Sequence, residues 1–293
     1  MTTLIIGCGY LGERLAAILR AAGDRVIGTV RSPERADKIA HLGIEPIIAD
    51  VLDISSLAHL PACDRIFYAV GFDRRAGVSM RSVYEGGLRN VLTQLGASSR
   101  RFVYASSTGV YGQTDGSWVD ETAVTEPRHE SGKICLEAEE IVRAWALAHA
   151  PEVTAVVLRY AGLYGPGRVV RKALLERGEP IPGDPDKFLN LIHIEDAARA
   201  AAAALGSEQV DPLYVVSDDR PVTRSEYYNL AATLLGTRPP QFVPLSTRGA
   251  ESDRDATNKR VRSARIKSRL GLQLAFPDIT TGLKTCFETA GEA

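Results

Sequence analysis

The chain has 293 residues, 45% of them hydrophobic and 24% charged, with 35 Lys and Arg against 36 Asp and Glu and a formal net charge of −1. That balance argues against a protein dedicated to nucleic acid or to an anionic membrane surface, and no apolar run approaches the ~20 residues that span a bilayer. Cys8, Cys63, Cys135 and Cys286 are scattered and form no C-x-x-C pair, so no metal site or disulfide framework is expected, and they read as small buried residues of a reducing, cytoplasmic protein.

The start, MTTLIIGCGYLG, carries no basic segment and runs at once into a strand and a glycine turn, so it does not read as a signal peptide. Thr3–Ile6 is a short β-type run, and Leu11, Leu15, Ile18, Leu19 and Ala22 then recur at helical spacing up to Gly23. Arg25–Val30 reads as a second strand. Pro33–Leu42 reads as a helix with Ser32 as its N-cap and Pro33 at the first helical position. Strands follow at Glu45–Ala49, Arg65–Val70, Arg101–Ala105 and Val153–Arg159, with helices at Met80–Leu95 and Gly132–His149. Apolar strands alternating with helices predict an α/β fold, a doubly wound Rossmann-type parallel sheet covered on both faces.

After Arg159 the rhythm changes. Glycine and proline cluster in GLYGPGR and RGEPIPGDPDK, followed by a strand-like FLNLIHI, an Ala-rich helix (Glu195–Leu205), a strand (Leu213–Asp218) and a helix over Thr223–Leu235 with a Thr223/Glu226 capping-box pattern. The expected organisation is a sheet domain of residues 1–160 plus about 195–217. A smaller, discontinuous substrate lobe of 161–194 plus 218–293 packs over its carboxyl edge.

IIGCGYLGERLA places Gly7-x-Gly9-x-x-Gly12 between a strand and a helix. Gly7 allows the tight turn, Gly9 lets a pyrophosphate approach the backbone, and Gly12 lets the helix pack closely on the strand. With Tyr10 and Leu11, these residues form a helix N-terminus facing the phosphates of a dinucleotide. A site for NAD usually has an acidic residue ~20 positions further on. Here the second strand ends VIGTVRSPER, without a carboxylate, and Arg31, Ser32 and Arg35 are placed to hold a 2′-phosphate. NADP is therefore expected over NAD, with Asp50 and Val51, just after the third strand, at the adenine edge.

The glycine loop, FVYASSTGVYG (102–112), VLRYAGLYGPGR (157–168), NLIHIEDAARA (190–200) and LYVVSDDRPVTRSEYYNLAATLLG (213–236) together resemble the NAD(P)-dependent epimerase/dehydratase family, the extended short-chain dehydrogenases/reductases. The resemblance covers nearly the whole chain in the family's order and is nearest to an atypical branch with G-x-G-x-x-G. It implies oxidoreductase or epimerase chemistry on a hydroxyl or carbonyl of a small or nucleotide-sugar-like substrate. A Ser or Thr, a Tyr and a Lys serve as the catalytic group, and homodimers form through helices flanking the site. Ser107, four before Tyr111, matches the family's Ser, with Thr108 adjacent. Lys133 matches the Lys of Y-x-x-x-K, which also binds the nicotinamide ribose.

The Tyr position is His129. Imidazole titrates near neutrality unaided, whereas a phenol needs the neighbouring Lys to lower its pKa, and the shorter ring demands a closer oxygen. Four readings stand open: His129 replaces the Tyr; Tyr111, Tyr160 or Tyr164 supplies the proton from another wall; the protein is a catalytically inactive NADP(H)-binding sensor; or the local match is off and His129 is an exposed loop residue before the helix. The resemblance further places Tyr160 and Ala161 against the nicotinamide. Thr108, Tyr111, Tyr164 and Asn190 fall on the substrate side, and His193 and Asp196 in a segment joining the lobe to the next helix. NKRVRSARIKSRLG (258–271) is basic. Its Asn258 and Arg260 are the candidates for a diphosphate, and most of its other bases read as the solvated face of a helix.

Overall fold

A computed structural model of the chain describes residues 1–97, 99–245 and 257–287. The chain runs β1 (Thr2–Ile6), α1 (Tyr10–Ala21), β2 (Arg25–Val30), α2 (Pro33–His41), β3 (Glu45–Ile48), the one-turn α3 (Ile54–Leu57) and β4 (Arg65–Tyr68). A π-helical turn (Ser82–Gly87) leads into α4 (Leu88–Leu95), and β5 (Arg101–Ser107) follows. After a 3-10 turn (Thr108–Val110) come β6 (Trp118–Val119), α5 (Glu130–Ala148), β7 (Thr154–Tyr160) and β8 (Gly162–Tyr164). Then follow α6 (Lys172–Arg177), β9 (Ile181–Pro182), β10 (Phe188–Leu189), β11 (Leu191–His193), α7 (Ile194–Gly206) and β12 (Leu213–Val216). The last described elements are β13 (Val222–Thr223), α8 (Arg224–Leu235), β14 (Phe242–Val243), β15 (Arg260–Val261), α9 (Ala264–Leu270) and α10 (Ile279–Gly282).

The apolar strands pair in parallel as one seven-stranded sheet, in the order β12-β7-β5-β4-β1-β2-β3. Both faces are covered, as uninterrupted apolar strands require. On one face α1 and α7 pack through Leu11, Leu15, Leu19, Ala197, Ala201 and Ala204. On the other, α4 and α5 pack through Leu88, Val91, Leu92, Ala138 and Val142. The order reverses between β1 and β4, so the carboxyl ends of those strands open a crevice. A separate cluster, including Leu175, Ile181, Leu189, Tyr227, Tyr228 and Ile279, forms beyond the carboxyl edge.

Local signals act where they were read. Ser32 Oγ accepts from Arg35 N at the start of α2, and Thr223 and Glu226 close a capping box on α8. The expected helix over Met80–Leu95 is helical throughout, with a π-helical turn at Ser82–Gly87 inside it. Gly87, at the junction, lies so close to Val51 that a Cβ there would meet Val51 Cβ at 3.0 Å. The run FLNLIHI breaks at Asn190 into β10 and β11, which pair with β13 and β8 respectively. Ile266 and Leu272 pack with α7 and the sheet, so this part of the chain beyond residue 218 lies against the sheet layers.

Candidate active site

The glycine loop has a different reason for each glycine. Gly7 has φ +85°, and a Cβ on it would stand 2.9 Å from the Ala69 carbonyl oxygen. At Gly12 a Cβ would stand 3.0 Å from Ile5 Cγ2 and 3.2 Å from Gly7 O. These two glycines are required by the protein's own packing. Around Gly9 nothing lies within 4 Å of a Cβ, so its missing side chain leaves an open surface. That surface, at the N-terminus of α1, is what the pyrophosphate of a dinucleotide needs, and the loop therefore fits the group. Thr29 holds the loop to β2, accepting from Gly7 N through Oγ1 at 3.0 Å and from Cys8 N through its carbonyl at 2.9 Å. The Leu11 side chain belongs to the core, which leaves its backbone for the phosphates.

At the end of β2, Arg31 is exposed. Ser32 Oγ caps α2, and the Arg35 guanidinium is paired with Glu13 while lying 3.4 Å from Cys8 O. Lys38 shares Glu13 at 3.3 Å. Asp50 Oδ1 accepts from Leu52 N at 2.9 Å and so organises the turn after β3. The Val51 carbonyl accepts from Asn90 Nδ2, also at 2.9 Å.

The carboxyl end of β5 and the first turn of α5 meet. Ser107 Oγ accepts from Gly109 N at 3.1 Å. His129 is the N-cap of α5, and its carbonyl accepts from Gly132 N and Lys133 N, both at 3.1 Å. Gly132 lies against Gly109, where any Cβ would collide with the Gly109 carbonyl oxygen. That contact sets Ser107, His129 and Lys133 around one junction, with Lys133 exposed.

Beneath this junction lies a buried polar network that sequence reasoning missed. Glu139, fully buried on α5, accepts from Ser106 Oγ at 2.6 Å, from Arg159 Nε at 2.9 Å and from Arg159 Nη2 at 2.7 Å. Arg159 Nη1 donates to Tyr111 Oη at 2.9 Å, and that hydroxyl donates to Asp120 O at 2.8 Å. The signals were present: an acid on the apolar face of a helix and an arginine inside the apolar strand VVLRY.

Several residues expected at the substrate have other duties. Tyr111, Tyr160 and Tyr164 are buried, and burial raises all three phenols. Tyr160 Oη donates to Ala197 O at 3.1 Å, and Tyr164 Oη is directed at Asp278 O at 3.4 Å. In this conformation none of these phenols lines an open cleft, because each fills the core between layers. Thr108 is buried in the 3-10 turn, and Ala161 N donates to Val216 O across the sheet. Asn190 binds the backbone on both sides of Arg260, donating to Lys259 O at 2.9 Å and accepting from Val261 N at 2.7 Å. Asn258 Oδ1 accepts from Phe188 N at 3.0 Å. Arg260 donates to Gly116 O at 2.7 Å and lies between the Trp118 and Phe188 rings.

The basic stretch is not one solvated helical face. It is a strand and then α9, whose Arg265, Lys267 and Arg269 pair with Glu121, Asp219 and Asp211. Lys259 is buried at 7% exposure, with Nζ donating to Tyr111 O at 2.9 Å and Thr257 Oγ1 at 3.2 Å. Burial pulls its amine down to about 8. His193 is buried against Tyr164 and Phe276, 3.0 Å from Thr285 Oγ1, and Asp196 accepts from Ala275 N and Phe276 N at 2.8 Å. Both tie the C-terminal segment to α7. No group of three or more metal-ligating side chains occurs among the described residues. No helix among them is long and apolar enough to cross a membrane.

A parallel sheet with this strand order, a glycine loop at its switch point and a Ser/Lys junction at its carboxyl edge define a Rossmann-type short-chain dehydrogenase/reductase. More narrowly, the chain belongs to the NAD dependent epimerase/dehydratase family, whose model matches residues 3–216. It is 29% identical over 279 residues to Protein YeeZ of Escherichia coli K12, covering 94% of this chain and 96% of that protein. A solved structure of a functionally unknown conserved protein from Silicibacter pomeroyi is 30% identical, with a TM-score of 0.78 over 99% of both chains. UDP-glucuronic acid 4-epimerase from Bacillus cereus, in complex with UDP-glucuronic acid and NAD, shares the fold at 17% identity, with a TM-score of 0.80 over 98% of both chains.

Proposed function

We propose that this protein is an NADP(H)-using oxidoreductase or epimerase acting on a hydroxyl or carbonyl of a small, sugar-like substrate, with nucleotide sugars as the leading class. The observation that carries the reading is the junction of Ser107 and Lys133 across the Gly109–Gly132 contact, at the edge of a sheet whose glycine loop is open at Gly9. When bound, the nicotinamide gives or takes the hydride. Ser107 hydrogen-bonds the reacting oxygen, its hydroxyl oriented by Gly109 N. Lys133 holds the ribose hydroxyls. His129, four residues before Lys133 at the motif position, moves the proton at that oxygen, while the hydroxyls of the three tyrosines face the core. Arg31 takes the 2′-phosphate, since Arg35 is already paired with Glu13. The nucleotide-sugar class is supported by the fold shared with the Bacillus cereus epimerase. A homodimer through the groove between α4 and α5, lined by Leu92, Ile141 and Trp145, fits this architecture.

A second reading, a dinucleotide-binding sensor without turnover, is favoured by one observation: an imidazole stands where the family has a phenol. Calorimetric affinities for NADP+ and NAD+, in wild type and Arg31→Asp, together with turnover of UDP-sugars by wild type and His129→Ala, test the proposal. The wild type prefers NADP+ and Arg31→Asp reverses that preference. His129→Ala keeps cofactor affinity and loses turnover. Equal wild-type affinities remove the NADP assignment, and tight cofactor binding without any turnover establishes the sensor.

A further inference from the structure

GLYGPGR leaves β8 as a closed turn. Arg168 N donates to Gly165 O at 2.8 Å and Gly165 N to Arg168 O at 3.2 Å, with positive φ at Gly165 and Gly167. This turn leans on the glycine loop. Tyr10 Oη donates to Pro166 O at 3.1 Å, and a Cβ on Gly165 would stand 2.8 Å from the same hydroxyl. The Arg168 guanidinium lies 5.6 Å from the Tyr10 ring centroid. Arg14 covers that ring at 4.2 Å, but its charge is met by Glu195 at 3.0 Å. Arg168 is exposed and, among the described residues, makes no ion pair.

The charge on Arg168 reaches both walls of the crevice. Burial raises the phenols of Tyr10 and Tyr84, and Arg168 is among the charges that draw each back down. Tyr10 opens α1 after β1, while Tyr84 sits in the π turn after β4. The sheet order reverses between those two strands, and a dinucleotide lies across the crevice at such a point. A cation from the far side of the chain therefore stands beside the crevice, with no ion pair to it among the described residues.

We propose that Arg168 completes the pyrophosphate site from the lobe side, opposite the amides at the N-terminus of α1. The inference rests on the glycine loop being a dinucleotide site. Without cofactor the guanidinium stacks on Tyr10; with it, the planar fork meets phosphate oxygens, which it matches in charge and geometry. The same turn begins the lobe, so cofactor binding fixes the lobe's entrance against the loop.

The test is calorimetry with NADP+, NAD+ and 2′-AMP on wild type, Arg168→Ala and Arg168→Lys. 2′-AMP shares the adenosine end of NADP+ and lacks the pyrophosphate. Arg168→Ala should weaken the tighter-binding dinucleotide by about tenfold, the usual scale of a charge-assisted hydrogen bond. Arg168→Lys should lose less, affinity for 2′-AMP should stay at its wild-type level, and added salt should narrow the gap between wild type and Arg168→Ala. The melting midpoint of cofactor-free Arg168→Ala should stay within about 2 °C of wild type, since only an exposed stacking contact is lost. Unchanged dinucleotide affinity in Arg168→Ala overturns this inference alone, as does an equal loss for 2′-AMP. A wild type that binds neither dinucleotide overturns the cofactor reading and this inference together.

Discussion

Gly7 and Gly9 sit two residues apart in one loop, and a single methyl group should have opposite effects at the two positions. In Gly7→Ala the backbone is held at φ +85°, which costs a side-chain-bearing residue about 1–2 kcal/mol. The new Cβ also stands 2.9 Å from Ala69 O and 3.0 Å from Val70 Cα, backbone at the end of β4 that cannot turn aside. Overpacking of this kind costs about 1–3 kcal/mol, for a total of about 2–5 kcal/mol. At about 2–4 °C per kcal/mol for a chain of this size, the melting midpoint should fall by roughly 4–20 °C. In Gly9→Ala no atom lies within 4 Å of the added Cβ, so the cofactor-free midpoint should stay within about 2 °C of wild type. The methyl group instead occupies the surface a pyrophosphate must approach. Wild type with NADP+ at about 100 times its Kd gains about 2.7 kcal/mol, or about 5–10 °C; Gly9→Ala gains none. Thermal melts with and without NADP+ read both effects. A Gly7→Ala that melts with wild type, or a Gly9→Ala that keeps the full cofactor shift, refutes the reasoning.

Three further expectations concern buried polar groups. Arg159→Met leaves the buried Glu139 with only Ser106 and the partly exposed Arg143 as partners and should cost up to about 3 kcal/mol in urea unfolding, while Arg159→Met/Glu139→Leu should recover most of it; a double variant no better than the single would contradict this. Because burial lowers the Lys259 amine from 10.5 to about 8, the unfolded chain binds that proton more tightly. The contribution of Lys259 is then fully present above about pH 10.5 and is lost as pH falls through about 8, a cost on the order of 3 kcal/mol at pH 7. Wild-type stability should therefore gain on Lys259→Met as pH rises from 7 to 10, and a constant difference in melting midpoint would count against it. His193 is held down by burial to about 4, so its stabilising contribution is present above the ordinary value of 6.5 and lost as pH falls from there through about 4. His193→Gln should flatten the acid limb of the stability profile, and an unchanged limb would assign the loss to other groups.

Much of this protein is legible along the chain because many of its determinants are local. The turn at Gly7, the Ser32 cap and the Thr223–Glu226 box each act within about four residues, and the apolar strands alternating with helices lead to a parallel sheet and its switch-point crevice. The glycine loop follows from spacing, as does the match of Ser107 and Lys133 to a known motif. What spacing leaves open is the direction a side chain faces and what meets it there. Ser106 reaches Glu139 33 residues on, and Lys259 reaches Tyr111 across 148. Tyr111, Tyr160 and Tyr164 have the chemistry of proton donors, and only the packing of layers turns their hydroxyls into the core. Asn190, Asn258 and Arg260 look like ligand-binding residues until the packing around β15 is seen, where backbone holds both ends of the Asn190 amide, the Asn258 Oδ1 and the Arg260 Nε. The chain by itself determined the fold and the identity of the chemical groups. Tertiary contacts decided which of those groups remain available, because burial and hydrogen-bond partners are set by residues distant along the chain.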